Sequence, residues 1–324
     1  MTGIETKNLL HQSEGLHRHV SALMREWMAC RAAQADAAIG NALLRELVRK
    51  FTDMQRRLRE QAIELSRRQA RLEDDLKAAA GMQKSLLPQQ APDQDAVSLA
   101  WHFTPSEMIG GDIFHVFPLN SSHMGMYMLD VSGHGVPAAL VTVSVSQFFQ
   151  PFSGHALRRN NIREEETPIV SPVEVIRALD REYPVERFDK FITIIYLVLD
   201  LTSGKLTYCN AGHVPALLLR PDGTIHRLDA GGPLIGLDGA LPFDEGEHLL
   251  TGGDRLLLYT DGITEYRNHA EEQYGIDRLQ YSMKKHAEKP LEEWLKLLFL
   301  DLMAFGKRRP VQDDVSLLGL EWLG

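Results

Sequence analysis

"LDVSGHGVPAAL", residues 129–140, closes an apolar run that begins at Met124, and it puts a carboxylate, Asp130, directly ahead of a Gly-His-Gly turn. A short apolar run that stops at a turn reads as a strand. The small and β-branched residues that follow read as a helix over about 135–149. Glycine on both sides of His134 keeps bulk away from whatever the carboxylate binds. His134 itself is a candidate base or metal ligand, although a His in such a turn more commonly hydrogen-bonds the loop.

The same grammar recurs in "GGDIF" (Asp112), "LLLYTDGITE" (Asp261) and "VQDDVSLL" (Asp313 and Asp314). Asp-Gly alone is weak evidence, and Asp222-Gly223 and Asp238-Gly239 read as ordinary turns. The set says more than its members. Carboxylates gathered at the ends of neighbouring strands repel one another unless a cation sits among them. Mg²⁺ and Mn²⁺ prefer such oxygen-rich sites, and two ions about 4 Å apart can share a bridging carboxylate and activate a water as nucleophile. On this reading Asp130 is the bridging ligand.

Around these motifs the chain alternates short apolar strands with turns. Strands are expected at 97–103, 113–118, 124–131, 190–200, 205–210, 215–220, 224–229, 254–260 and 314–321. "LLLRPDGTIHRL" is a hairpin by its Pro-Asp-Gly turn. Helices are expected at about 135–149, 172–182, 275–286 and 290–305, and the polar stretch 153–171 reads as a long loop. Successive hairpins with paired helices predict an α+β domain of antiparallel sheets covered by helices, not a doubly wound parallel sheet.

Residues 1–87 have a different character, with no proline and an excess of helix-forming Ala, Leu, Arg, Glu and Gln. Leu44, Phe51, Leu58, Leu65, Leu72, Ala79 and Leu86 are each seven apart. The companion positions Val48, Gln55, Ala62, Gln69, Leu76 and Gln83 are half polar. This predicts a parallel coiled coil from about residue 44, with Gln55, Gln69 and Gln83 weakening one core layer; a long helix in a bundle is the other reading. Between Arg45 and Lys77, ten Lys/Arg face seven Asp/Glu, a balance that suits a solvated helix better than a nucleic-acid surface. "LLPQQAPDQD" then breaks the helix, so 1–87 is expected to be a helical signalling and dimerisation region and 88–324 a separate domain.

Composition narrows the classes further. A net charge of −9 argues against a nucleic-acid partner. No run approaches the roughly 18 apolar residues of a membrane helix, and the N-terminus lacks a secretory pattern. Cys30 and Cys209 form no CxxC pair, so neither a disulfide framework nor a zinc site is indicated, and a cytoplasmic location is the default expectation. GxSxG, a Walker A loop and HExxH are all missing.

"MQKSLLP", "PSEMIGGDIF", "LDVSGHGVPAAL", "FITIIYLVLD", "YCNAGHVPALLL", "GGPLIG", "GDRLLLYTDGITE" and "QDDVSLL", in this order, resemble the metal-dependent protein phosphatase (PPM) superfamily, and within it the bacterial SpoIIE/RsbU-type serine phosphatases. The resemblance spans about Met82 to Leu320 and implies an α-β-β-α sandwich with two Mn²⁺ or Mg²⁺ ions at one edge of the sheets. By position, Asp130 resembles the bridging ligand and Val131 the residue whose carbonyl completes one metal site. Asp112 resembles a carboxylate of the second metal, and Asp261 and Asp313 those of the first, with Asp314 ranked behind them. Asn210, Gly212 and His213 resemble a segment that shapes a strand turn. His115 departs from the pattern, because relatives often carry Asp or Asn there.

The resemblance implies a protein serine/threonine phosphatase, acting on a phosphorylated partner such as a small anti-sigma factor antagonist and dimerising through its N-terminal helices. A catalytically weak phosphatase-like scaffold, binding its partner through the same surface, is the alternative.

Overall fold

The computed structural model describes residues 37–90, 94–133, 135–149, 169–237 and 239–324, together with isolated positions between 21 and 28. The chain divides into two compact units, Met1–Lys77 and Ala78–Gly324. Helix α1 (Ala37–Leu86) is continuous over 50 residues. In the first unit its seam residues Leu58, Leu65 and Leu72 are exposed, as are Leu47, Met54 and Ile63. Surface pairs such as Glu46–Lys50 and Glu64–Arg68 support the helix at i,i+4 spacing.

The second unit takes the last turns of α1 and then continues through β1 (Val97–Thr104), β2 (Ile113–Pro118), β3 (His123–Val131), α2 (Val136–Phe148), α3 (Pro172–Glu182), the one-turn α4 (Val185–Phe188), β4 (Ile192–Asp200), β5 (Lys205–Ala211), β6 (Ala216–Leu219), β7 (Ile225–Leu228), β8 (Gly231–Gly232), β9 (Gly246–Leu249), β10 (Arg255–Tyr259), the one-turn α5 (Asp261–Thr264), α6 (Gly275–Lys285), α7 (Leu291–Phe305) and β11 (Val315–Trp322). One sheet has the order β1-β11-β10-β6-β7; the other has the order β2-β3-β4-β5-β8, with β9 added on β5. All pairings are antiparallel except the short β5–β8 contact.

The register shows why the strands read as continuous apolar runs. On β6 and β10, Leu218, Leu256 and Leu258 point into the core shared with β2–β5. Their neighbours Leu217, Leu219, Leu257 and Tyr259 point the other way, onto Trp294, Leu295, Leu298 and Leu302 of α7. A strand covered on both faces has no polar side to show. On the second sheet the outer layer is α2 and α3, through Val141, Val145, Val175, Ile176 and Leu179. The result is the expected helix–sheet–sheet–helix order.

Several details differ from the sequence-based expectation. The fourth strand begins at Ile192 rather than 190, because Asp189 is in the left-handed region and caps α4. Strands β8 and β9 and the one-turn helices α4 and α5 were not expected. The Asp222-Gly223 turn closes the β6–β7 hairpin as expected. His134, Asp238 and residues 153–168 lie outside the described residues.

Candidate active site

The antiparallel registers place the carboxylates. Ile113 pairs with Leu129, so the start of β2 and the end of β3 share one edge, which puts Asp112 near Asp130. Tyr259 pairs with Leu317, so the end of β10 and the start of β11 share an edge too, with Asp261 just after one strand and Asp313 and Asp314 just before the other. The two sheets face each other, and their edges bring the five aspartates together.

The electrostatics follow from this convergence. Burial first, then the charges of Asp130 and Asp314, raises the Asp112 carboxyl well above its usual range. Burial followed by Asp261, Asp313 and Asp314 raises Asp130 to about 7. Burial and the Asp313 and Glu265 charges raise Asp261 to about 6. A proton or a nearby cation relieves this repulsion. Among the described residues, no Lys or Arg forms an ion pair with Asp112, Asp130, Asp261 or Asp314.

The loop between β1 and β2 is fixed by hydrogen bonds. Asp314 is buried, and its Oδ1 accepts from the Ser106 amide (2.8 Å) and hydroxyl (2.9 Å). It therefore anchors the loop ahead of Asp112. The Ser316 hydroxyl donates to Asp112 Oδ2 at 2.7 Å. The Thr142 hydroxyl of α2 donates to the Gly111 carbonyl at 2.8 Å. Asp313 Oδ1 accepts from the Asp314 amide at 2.8 Å.

Divalent ions fit this edge by two observations. The donors are hard oxygens, the type such ions prefer. A Cβ built on Gly111 would stand 2.6 Å from the Val131 carbonyl oxygen and 3.3 Å from both Asp130 Oδ1 and the Gly133 carbonyl oxygen. Any side chain at 111 would thus fill an oxygen-lined cradle. As the side chains lie, no three His, Cys, Asp or Glu among the described residues form a closed ligand set.

The histidines separate by role. His115 points away from the aspartates and packs near Phe117 and Tyr127, with ring centroids at 6.0 and 6.4 Å. Its Nδ1 is buried without a partner, and burial lowers its pKa. His213 is buried and pushed down to about 4 by desolvation. Its ring links Thr193 Oγ1 (3.0 Å) to the Tyr259 carbonyl (3.2 Å), while Asn210 brackets its backbone. Thr193 pairs with Asp130 across the β3–β4 ladder, and Tyr259 precedes Asp261 by two residues. His213 therefore ties the β4 end beside Asp130 to the β10 end ahead of Asp261 across the sheets.

Gln83 was read as a weak coiled-coil core position, and the structure corrects this. It is buried, and its amide donates to the Gly110 carbonyl (2.8 Å) and accepts from the Gly110 amide (3.2 Å). Ser316 and Thr142 also escaped the sequence reading, since single hydroxyls carry no spacing signal.

Comparisons with known proteins identify the fold and the family. The family described as "Stage II sporulation protein E (SpoIIE)" matches residues 120–323. Phosphoserine phosphatase RsbP of Bacillus subtilis (strain 168) is 31% identical over 245 residues, covering 74% of this chain and 56% of RsbP. Phosphoserine phosphatase RsbU of the same organism is 26% identical over 257 residues, covering 78% of this chain and 71% of RsbU. The chain thus spans little more than half the length of RsbP. The solved SiaA-PP2C domain of Pseudomonas aeruginosa superposes with a TM-score of 0.64 at 21% identity, covering 78% of this chain and 98% of that domain, so the two share a fold. With the family matched over most of the second unit and the fold matched independently, this chain belongs to the SpoIIE family.

Proposed function

We propose that the chain is a divalent-cation-dependent protein phosphatase that hydrolyses phosphoserine and phosphothreonine. The observation that carries this reading is the gathering of Asp112, Asp130 and Asp261 at one edge of the sandwich, where burial and then neighbouring carboxylates raise all three, beside the oxygen-lined cradle at Gly111. A scaffold has no use for carboxylates held at such electrostatic cost, and that argues against the non-enzymatic alternative.

Asp130 would hold both ions, with Asp261 and Asp313 on one, Asp112 on the other, and the Val131 carbonyl completing one of the two sites. When bound, Mn²⁺ or Mg²⁺ would neutralise the carboxylates, polarise the phosphoryl oxygens and lower the pKa of water. The protein's own part is positional. Ser316 orients Asp112, and His213 fixes the strand ends carrying Asp130 and Asp261. Gly133, at φ 82°, makes a left-handed turn just after the strand that carries Asp130. Water adds to phosphorus, the P–O bond to the seryl oxygen breaks, and that oxygen leaves with a proton, giving free serine and inorganic phosphate.

The substrate we propose is a phosphorylated regulatory protein of the partner-switching type, a small anti-sigma factor antagonist. The similarity to RsbP and RsbU supports it. We assign residues 1–87 to signalling and dimerisation through the exposed seam of α1, residues 88–324 to the phosphatase domain, and the whole to the cytoplasm. No helix among the described residues is long and apolar enough to cross a membrane.

Phosphate release from phosphoserine, phosphothreonine and phosphotyrosine peptides, with Mn²⁺ or with chelator, tests the activity. Release from the first two with Mn²⁺ alone is expected. Release that is indifferent to chelator, or confined to phosphotyrosine, would overturn the reading.

A further inference from the structure

The aspartate cluster poses a problem for its own substrate. A phosphomonoester carries about −1.5 to −2 charges at neutral pH. Ions that balance Asp112, Asp130, Asp261 and Asp313 leave little positive charge over for that dianion. A cationic side chain at the rim would supply it, and one is built in. A Cβ placed on Gly133 would stand 3.0 Å from Lys190 Nζ. Gly133 lies three residues after Asp130, and its carbonyl oxygen borders the same Gly111 cradle as Asp130 Oδ1.

Lys190 is held there by its neighbours on both sides. Downstream, the Ser132 amide donates to the Phe191 carbonyl and the Phe191 amide donates to Ser132 Oγ, both at 2.9 Å. This pair fastens residue 191 to the turn that follows Asp130. Upstream, the Asp189 amide donates to the Val185 carbonyl at 2.8 Å, and the Val185 amide donates to the Gly236 carbonyl at 3.1 Å. Gly236 is in turn anchored by buried Asp180, which accepts from the Gly236 amide at 2.8 Å and the Leu237 amide at 3.0 Å. The backbone on either side of Lys190 is therefore fixed. Among the described residues no carboxylate forms an ion pair with Lys190. A lysine at a strand entry would ordinarily be a solvated surface residue. This one is only partly exposed, and its ammonium lies beside Gly133.

We infer that Lys190 is a substrate-binding residue whose ammonium group receives a non-bridging oxygen of the substrate phosphoryl group at the Gly133 rim. The left-handed backbone of Gly133, at φ 82°, favours glycine there and leaves the space beside the ammonium unfilled. Charge-assisted hydrogen bonds of this kind are worth enough to change affinity roughly tenfold or more. The inference rests on the phosphatase reading above and names a residue of that same site.

The test compares wild type, Lys190→Ala and Lys190→Arg at saturating Mn²⁺. It measures KM and kcat on a phosphoserine peptide, the inhibition constant of inorganic phosphate, and the Mn²⁺ concentration giving half-maximal activity. Lys190→Ala is expected to raise KM and the phosphate inhibition constant roughly tenfold or more, with the Mn²⁺ midpoint unchanged, and Lys190→Arg is expected to keep most of the affinity. Unchanged KM and phosphate inhibition in Lys190→Ala overturn the inference. So does a loss of kcat and thermal stability with KM retained, which marks a structural lysine. If the wild type releases no phosphate, the phosphatase reading fails separately. Calorimetric titration of inorganic phosphate into the Mn²⁺-loaded proteins then decides: binding by wild type and loss in Lys190→Ala upholds the anion site, and equal or absent binding in both refutes it.

Discussion

The side-chain amide of Gln83 makes two hydrogen bonds to the backbone of Gly110, one to its carbonyl at 2.8 Å and one from its amide at 3.2 Å. It pairs with that residue much as a neighbouring strand would. The last turns of α1 are thereby fastened to the residue ahead of Gly111 and Asp112, so a shift of the helix end moves the loop that carries Asp112. Gln83→Leu keeps size and helix propensity but leaves both buried backbone groups unpaired. It should lower stability by about 1–3 kcal/mol in a denaturant titration and raise the Mn²⁺ concentration needed for half-maximal activity. An unchanged Mn²⁺ midpoint would mean the clamp serves folding alone.

The aspartates should make cation-free protein less stable as pH rises. A carboxyl whose pKa is raised on folding binds its proton more tightly when folded. Its favourable contribution is full below the unfolded value and is lost as pH climbs through the folded value. For Asp130 and Asp261 that window runs from about 4 to about 7. In chelator, the thermal midpoint should therefore fall between pH 5 and pH 8, Asp130→Asn should flatten the fall, and added Mn²⁺ should reverse it. A flat wild-type profile would contradict the electrostatic account.

The two histidines predict opposite outcomes. His115 faces Phe117 and Tyr127 rather than the aspartates, so His115→Asn should retain turnover within a fewfold. His213 joins the β4 and β10 ends through its ring, and His213→Ala should cost about 1–3 kcal/mol and lower kcat. Because His213 is held neutral to about pH 4, the activity–pH profile above pH 5 should owe nothing to it. Complete loss of turnover in His115→Asn would place that residue in the chemistry.

Leu58, Leu65 and Leu72 stand exposed along α1, each seven residues from the next. A second copy of the helix would cover them. Leu65→Asp with Leu72→Asp should convert a dimer to a monomer in sedimentation and change the turnover measured on the same sample. A monomeric wild type would mean that the seam serves another purpose, and unchanged kinetics in a monomeric double mutant would reduce the coil to a tether.

Much of this was legible in the sequence because burial on both faces leaves a simple trace. The run from Arg255 to Tyr259 is wholly buried and reads as a strand at sight. Strand β8 is two glycines with no side chain to carry a pattern, and β9, "GEHL", alternates only partial burial, so neither announces itself. The aspartates were visible as a set because each falls at a strand end before or after a turn. What brings them together is register between distant strands, which no local pattern encodes. Gln83 shows the converse case. Its place four residues after a heptad position made it look like a coiled-coil layer, and only the tertiary contact with Gly110 reveals its use.

The central claim is that Asp130 joins two cations into one hydrolytic centre. Calorimetric titration of Mn²⁺ into wild type and Asp130→Asn, with phosphoserine-peptide turnover on the same samples, tests it most directly. The account predicts two bound ions and turnover in the wild type. In folded Asp130→Asn it predicts the loss of at least one ion and a fall in turnover of several orders of magnitude. Undiminished Mn²⁺ binding and turnover in Asp130→Asn, or wild-type turnover in excess chelator, would contradict it.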